Sequence, residues 1–299
     1  MRFGLLYSLI RKEEKLLLKA AADRGVDVVK IDVGALTYGL RGATRLPPVD
    51  VVLDRTLSHS QALYALRFFA SYGITTVNTP EVVARCGDKA LTSIALQEAG
   101  VPTPTTLVAF TPEQALEAIE EIGYPAVLKP VTGSWARLLA KVSDRQQAES
   151  IIEHKATLGS YQHSIFYIQE YIEKPGRDLR ALVIGDQCVG VIARTSDHWI
   201  TNTQRGGTPT QIELTPQIKQ IAQAAAAAVG GGVLGIDLME RPDGSLTCHE
   251  VNHNLEFAKS LEVYGIDVPG LIVDYVIASA NRWPGVSGVP TVVPSPHSR

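Results

Sequence analysis

Cysteine is scarce in this chain: three in 299 residues. Cys86, Cys188 and Cys248 are odd in number and lack metal-ligand spacing, so they read as buried thiols in a reducing compartment. A basic excess is missing too. Lys and Arg number 28 against 31 Asp and Glu, a net charge of −3, which leaves no nucleic-acid footprint. Long apolar runs are also absent. The longest charge-free run, Gln220 to Ile236, is short for a membrane span and contains Gly230-Gly231-Gly232. Met1 to Leu6 has no extended apolar stretch, so no signal peptide is expected, and the expectation is a cytoplasmic protein. What remains is an ordinary globular balance of 45% hydrophobic and 20% charged residues, on a chain long enough for two or three compact units.

Residues 1 to 85 read as a small α/β unit. Strands are expected at Arg2–Leu6, Val26–Val33, Val49–Asp54 and Ile74–Val77, with helices at Lys12–Arg24 and His59–Tyr72 closed by Gly25 and Gly73. Strands alternating with helices argue for a parallel sheet. No glycine-rich phosphate motif follows the first strand, so this unit is not read as a dinucleotide site. Arg55 to His59 follows a strand end and could line a cleft, although a solvated loop is the plainer expectation.

Glu81 to Gly100 reads as one helix carrying Asp88-Lys89, and Pro112 to Ile122 as a helix capped by Thr111. Tyr124 to Pro130 is a strand ending in Lys129. Val131 to Arg137 follows, a loop with Gly133, Ser134, Trp135 and Arg137 whose backbone N–H groups could wrap phosphate oxygens, before a strand at Leu138–Val142. Taken alone, such a loop is more often only a turn. Further strands are expected at Ser164–Ile172, Ala181–Ile184 and Cys188–Arg194. Asp178 and Arg180 share a face. Thr215-Pro216 starts an alanine-rich helix to Val229, and Asp267 to Trp283 is a last helix before a proline-rich tail expected to be disordered.

Gly235 to Asn254 carries the strongest signal. Two apolar strand-like runs flank Pro242-Asp243-Gly244, which argues for a β-hairpin. Side chains alternate along a strand, so Glu250 and Asn252 point the same way, and Asp237 on the partner strand can stand beside them. Two carboxylates and an amide oxygen suit Mg²⁺, which is usually held by one or two carboxylates plus substrate phosphates. Lys89 and Lys129 supply point charges for phosphate. One nucleoside triphosphate would satisfy the lysines, the loop and the hairpin together.

In these motifs the chain resembles the ATP-grasp superfamily, and within it the RimK/LysX branch of carboxylate–amine ligases, with the LysX type nearest in pattern. The resemblance runs over roughly residues 1 to 283. It is carried by Cys86-Gly87-Asp88-Lys89, Val127 to Pro130, Gly133-Ser134-Trp135 with Arg137, Gln169-Glu170-Tyr171, Gly176 to Arg180, His198 to Gly207, Gly235-Ile236-Asp237 and Glu250 to His253.

The resemblance implies a mixed α/β (α+β) ATP-grasp fold. Its units would be an N-terminal α/β pre-ATP-grasp domain over 1–85, a central lid over 86–163, a C-terminal domain with the magnesium hairpin over 164–283, and the tail over 284–299. It implies ATP and two Mg²⁺ as cofactors. Lys89, Lys129, Gly133, Ser134, Trp135 and Arg137 would hold phosphates, the backbone of Glu170 and Tyr171 adenine, and Asp178 the ribose. Asp237, Glu250 and Asn252 would hold metal. Arg194, Asn202 and Arg205 would face the transferred phosphoryl group, with Arg180, Thr203, Lys259 and Ser260 on the substrates.

The implied reaction phosphorylates a carboxylate and lets an amine displace the phosphate. For the LysX type the carboxylate is the side chain of the C-terminal glutamate of a small acidic LysW-type carrier. The amine belongs to α-aminoadipate, in lysine biosynthesis by the aminoadipate route. No nucleic acid or membrane partner is implied, and a homotetramer is. In the family a residue pair after the hairpin separates aminoadipate from glutamate forms. An ungapped alignment puts Lys259-Ser260 there, which matches neither form, so the amino acid stays open: aminoadipate, glutamate on the arginine/ornithine route, or a secondary-metabolism amino acid. Lys259 either pairs with a substrate carboxylate or is solvated. A RimK-like protein glutamate ligase and a non-enzymatic ATP-binding regulatory protein are the rivals. His249 and His253, four apart on a strand, are expected to be solvated or hydrogen-bonded rather than zinc ligands.

Overall fold

The computed structural model describes residues 1–39, 46–133, 138–159, 164–201, 206–259, 261 and 265–282. The expected tail and Ser134, Trp135, Arg137, Asn202, Thr203, Arg205 and Ser260 lie outside the described residues.

The N-terminal unit is β1 (Phe3–Tyr7), α1 (Lys12–Asp23), β2 (Val28–Asp32), β3 (Val51–Arg55), α2 (His59–Ser71) and β4 (Thr75–Val77). Its sheet has the order β2-β1-β3-β4 and every pair is parallel, as the alternation of strands and helices predicts. β1 and β3 are buried almost throughout, which is why they read as continuous apolar runs. Ser58 caps α2 by accepting the Gln61 N–H, which fixes His59 as the first helical residue.

Next come α3 (Pro80–Cys86) and α4 (Lys89–Glu98), where the sequence predicts one helix over 81–100. The break has a tertiary cause. The Lys89 N–H donates to the Val131 carbonyl at 2.9 Å, Asp88 bridges Thr132, and the Asp88 carboxylate caps α4 by accepting from Ala90 and Leu91. Gly87 lies against the His59 ring: a Cβ there would sit 1.8 Å from it, so the ring would have to move.

The central sheet is β5 (Thr106–Ala109), β6 (Ala126–Lys129), β7 (Ala140–Val142) and β8 (Phe166–Glu170) in the order β5-β8-β6-β7, backed by α5 (Pro112–Ile122) and α6 (Arg145–Leu158). β8 lies between β5 and β6, so the sheet continues beyond residue 163, where the sequence division ends the lid.

The third sheet, β11-β10-β9-β12-β13, is antiparallel: β9 (Arg177–Ile184), β10 (Gln187–Thr195), β11 (Thr208–Gln211), β12 (Val233–Glu240) and β13 (Leu246–Asn252). On it packs α7 (Pro216–Val229), whose Ala222, Ala225 and Ala226 are small enough for close contact with Leu179, Ala181 and Ile236. The last helix, α8 (Val268–Arg282), packs between this sheet and the first unit, in one core with Leu182 and Ile184 of β9 and Val233 of β12. Val268, Ile272, Val273 and Val276 share a core with Phe3, Leu5 and Leu17 of the first unit.

A buried ion pair ties the N-terminal unit to the segment after β13. Arg55 at the end of β3 donates Nε to Glu14 Oε1 at 3.0 Å and Nη1 to the Leu255 carbonyl at 2.8 Å. Arg11 also pairs with Glu14. Burial alone would raise the Glu14 carboxyl, but the two guanidiniums outweigh it and hold it below its ordinary value. Arg55→Met should therefore destabilise by about 1.5–3 kcal/mol, the scale of one hydrogen bond to a charged group, since it removes one of the two guanidiniums that compensate a buried carboxylate. A depressed carboxylate contributes its stability above its unfolded pKa, about 4.3. The variant's deficit in urea unfolding should be full above that pH and shrink as pH falls through Glu14's lowered folded value.

Candidate active site

One cleft of about 240 Å³ runs between the three sheets. Its lining includes Lys89, Lys129, Gly133, Glu170, Tyr171, Asp178, Arg180, Arg194, Asp237, Glu250 and Asn252. The structure thus brings together every described residue that the sequence singles out, except Lys259, which is exposed and outside the lining.

The hairpin supplies the anionic wall. Asp237 on β12 pairs directly with Glu250 on β13, so their side chains share a face, and Asn252 lies two residues further on that face. A bulge falls between Asp237 and Leu238, where the register passes from Glu250 to Cys248 and leaves His249 unpaired. Strand order then crowds this wall with guanidinium. Arg180 on β9 sits opposite Asp237 and holds both its oxygens at 2.7 Å. Arg194 on β10 reaches Asp237 at 3.2 Å and Asp178 at 2.6 and 2.8 Å. Burial would raise the Asp237 carboxyl, yet Arg180 and Arg194 hold it well below the usual carboxylate range.

Asp178, expected at the ribose, has both oxygens on Arg194 and is 4% exposed, so in this fold it is first the counter-ion of that guanidinium.

Facing the hairpin are the lysines. Lys129 ends β6 and donates to Gln169 Oε1 at 2.6 Å. Burial, with help from Lys89 and Lys174, lowers its pKa to about 8 against the opposing pull of Glu250. Lys89 donates to the Gly133 carbonyl at 2.8 Å and lies 3.6 Å from Glu250 Oε1. The break before α4 and the start of the loop after β6 therefore meet on one lysine. The Glu170 side chain is taken by the Thr105 N–H and Arg241. Tyr171 follows, covered by Lys141 and edged by Trp199.

Hard oxygens suit a magnesium ion here. Among the described residues no three His, Cys, Asp or Glu side chains form a metal cage. Two carboxylates and an amide fit an ion that takes its remaining ligands from phosphate and water.

Sequence reasoning missed several residues. Lys174 bonds Thr201 Oγ1 at 2.8 Å and lies 3.8 Å from Asp178. The segment from Arg55 to His59 is not a solvated loop: Arg55 and Thr56 are buried, and Thr56 and His59 line the cleft. His249 and His253 are not solvated either. Both line the cleft, and His249's two ring nitrogens and His253 Nδ1 are buried without hydrogen-bond partners among the described residues.

Comparison with known proteins decides the family. A RimK-like ATP-grasp domain model matches residues 86–276, and a LysX preATP-grasp domain model matches residues 3–85. The chain belongs to the RimK-like ATP-grasp ligases. Among relatives of these ligases, the glutamate–LysW ligase ArgX of Sulfurisphaera tokodaii is 33% identical over 92% of this chain and 98% of that protein. The α-aminoadipate–LysW ligase LysX of the same organism is 32% identical over 95% of this chain and 99% of that protein. In structure, a RimK domain ATP-grasp protein from Sphaerobacter thermophilus superposes with a TM-score of 0.80 at 29% identity, covering 93% of this chain and all of the other. Like that protein, this ligase is a mixed α/β ATP-grasp fold, and none of its described helices is long and apolar enough to cross a membrane.

Proposed function

We propose that this ligase joins the α-amine of an acidic amino acid, α-aminoadipate or glutamate, to the side-chain carboxylate of the C-terminal glutamate of a small acidic LysW-type carrier. The observation carrying the reading is the cleft itself, where Lys89 and Lys129 face the Asp237–Glu250–Asn252 hairpin. The carrier enters through the relatives: ArgX and LysX are LysW ligases alike over nearly the whole chain.

A carboxylate does not acylate an amine, because oxide is a very poor leaving group. Transfer of the ATP γ-phosphoryl to the carboxylate makes an acyl phosphate, and the amine then expels phosphate. This chain's part is positioning and charge. Lys89 and Lys129 bind phosphate oxygens, and the backbone end of β8 receives the base. Asp237, Glu250 and Asn252 would hold magnesium, as two ions. Magnesium bound there would neutralise charge on the transferring phosphoryl group. Arg194, fixed by Asp178, and Arg180 present guanidinium to the reacting oxygens. Arg180 and Arg194 also supply the countercharge that keeps Asp237 ionised in a buried wall.

ADP release tests this directly. Purified enzyme with ATP should release ADP over many turnovers only when a carrier ending in glutamate and an amine acceptor are both present. Hydroxylamine in place of the amino acid should trap the activated carboxylate as a hydroxamate on the carrier. ATP binding without ADP release in any combination would return the reading to a nucleotide-binding regulatory protein.

A further inference from the structure

The nucleotide residues occupy one part of the cleft. A second wall comes from the N-terminal unit and the segment just after β13, and it is built differently. Thr56 Oγ1, His59 Nδ1, His253 Nδ1 and Asn254 Oδ1 are all buried polar atoms with no hydrogen-bond partner among the described residues, and all four residues line the cleft. Leaving a buried polar group unpaired costs about 1–3 kcal/mol each. Four along one stretch of wall is therefore a concentrated cost, of the kind a bound ligand relieves.

The wall is held in place from behind. Asn254 Nδ2 donates to the Thr56 carbonyl at 3.0 Å, which commits the amide nitrogen and leaves Oδ1 as the free atom. Arg55 Nη1 donates to the Leu255 carbonyl at 2.8 Å, and Asn78 Nδ2 to the His253 carbonyl at 2.7 Å. The His59 ring is seated over Gly87 and lies 5.6 Å from the His253 ring, centre to centre. Thr56 is 1% exposed, so its hydroxyl has no solvent partner.

The chemistry on offer is specific. Asn254 Oδ1 only accepts hydrogen bonds, the imidazole nitrogens accept or donate, and the Thr56 hydroxyl does both. The cation Arg11 and the anion Glu256, 3.7 Å apart, line the same cleft. A ligand with several N–H donors on one carbon and carboxylate oxygens on the next matches this set. His253 and Asn254 directly follow the hairpin residue Asn252. At about 3.3 Å per residue, Asn254 lies within roughly 7 Å of it along the chain. An amine held on this wall is therefore next to the place where phosphate leaves.

We propose that Thr56, His59, His253 and Asn254 form the acceptor subsite, which binds the zwitterionic head of the free α-amino acid. The ammonium rests on Asn254 and the imidazoles, and the carboxylate accepts from Thr56. This rests on the ligase reading above, and it assigns acceptor recognition to the N-terminal unit and the residues just past the hairpin rather than to Lys259.

The test uses Thr56→Val, which keeps the shape and deletes the hydroxyl, with Thr56→Ser as the rescue. With wild-type enzyme and carrier, KM for L-glutamate or L-2-aminoadipate should rise about tenfold or more in Thr56→Val, the loss expected for a hydrogen bond to a charged group. It should return towards wild type in Thr56→Ser, while KM for ATP stays within twofold in both. Without carrier or turnover, saturation-transfer NMR in the presence of a non-hydrolysable ATP analogue should show each amino acid binding to wild type and more weakly to Thr56→Val. ATP-analogue binding by the variant confirms that it is folded. If wild type ligates and Thr56→Val keeps an unchanged amino-acid KM, the subsite is wrong and the ligase reading stands. If wild type ligates nothing yet binds the amino acids through Thr56, the ligase reading fails and the subsite stands. No amino-acid binding to wild type by NMR overturns the subsite.

Discussion

Glu250→Gln is expected to lower kcat roughly a thousandfold or more, the scale of several kcal/mol of lost charge stabilisation at a phosphoryl group. This substitution is the cleanest probe of the hairpin. Glu250 is partly exposed and its one described ion pair is with Lys89 at 3.6 Å, so an amide there disturbs fewer partners than a change at Asp237, although it also removes the negative charge that favours the buried Lys129 ammonium. Asp237→Asn should be equally inactive, but it also strips Arg180 and Arg194 of their shared counter-ion, so loss of stability would accompany loss of activity. For Glu250→Gln the melting temperature should hold while turnover collapses and more magnesium is needed to reach the residual rate. Turnover within tenfold of wild type would remove Glu250 from the metal site.

The second large effect is expected at Lys129. Its ammonium is buried, and its pKa is lowered to about 8 chiefly by that burial. Below that pH the charge is present and available to phosphate; above it the free enzyme loses the charge. The value of kcat/KM for ATP should therefore be level near neutrality and fall tenfold per pH unit well above 8. Lys129→Met should lower kcat/KM for ATP about a hundredfold at pH 7, the scale of losing a charge-assisted hydrogen bond, and should abolish the alkaline fall. Lys129→Arg should keep part of the activity and also lose the fall, because guanidinium does not titrate in this range. If the fall persists in Lys129→Met, another group titrates and Lys129 is not the phosphate cation.

The hairpin was readable because its signals are local: alternation along two strands, a Pro-Asp-Gly turn between them, and ligand-type residues at positions that alternation places on one face. The same holds for the parallel N-terminal sheet and for the alanine-rich helix over 216–229. What was not readable depends on contacts far apart in sequence. Nothing near Asp88 shows that residues 131 and 132 will pair with it and split a helix. Asp178 and Arg180 were placed on one face, but their partners follow from the order β10-β9-β12-β13, which no local pattern encodes. Thr56 and Asn254 are 198 residues apart and meet only after three sheets have assembled. The histidines were misread for the same reason: a polar residue on a strand looks solvated until an adjoining unit covers it.

As a ligase of this family, the chain is expected to add an amino acid to a carboxylate of a carrier protein at the cost of ATP. Intact-mass spectrometry of a LysW-type carrier tests it most directly, after incubation with enzyme, ATP, magnesium and either α-aminoadipate or glutamate. The carrier should become heavier by one amino-acid residue, with the addition mapped to the C-terminal glutamate and absent when ATP is omitted or Glu250→Gln replaces the wild type. An unchanged carrier mass with both amino acids, from an enzyme that binds ATP normally, would contradict it.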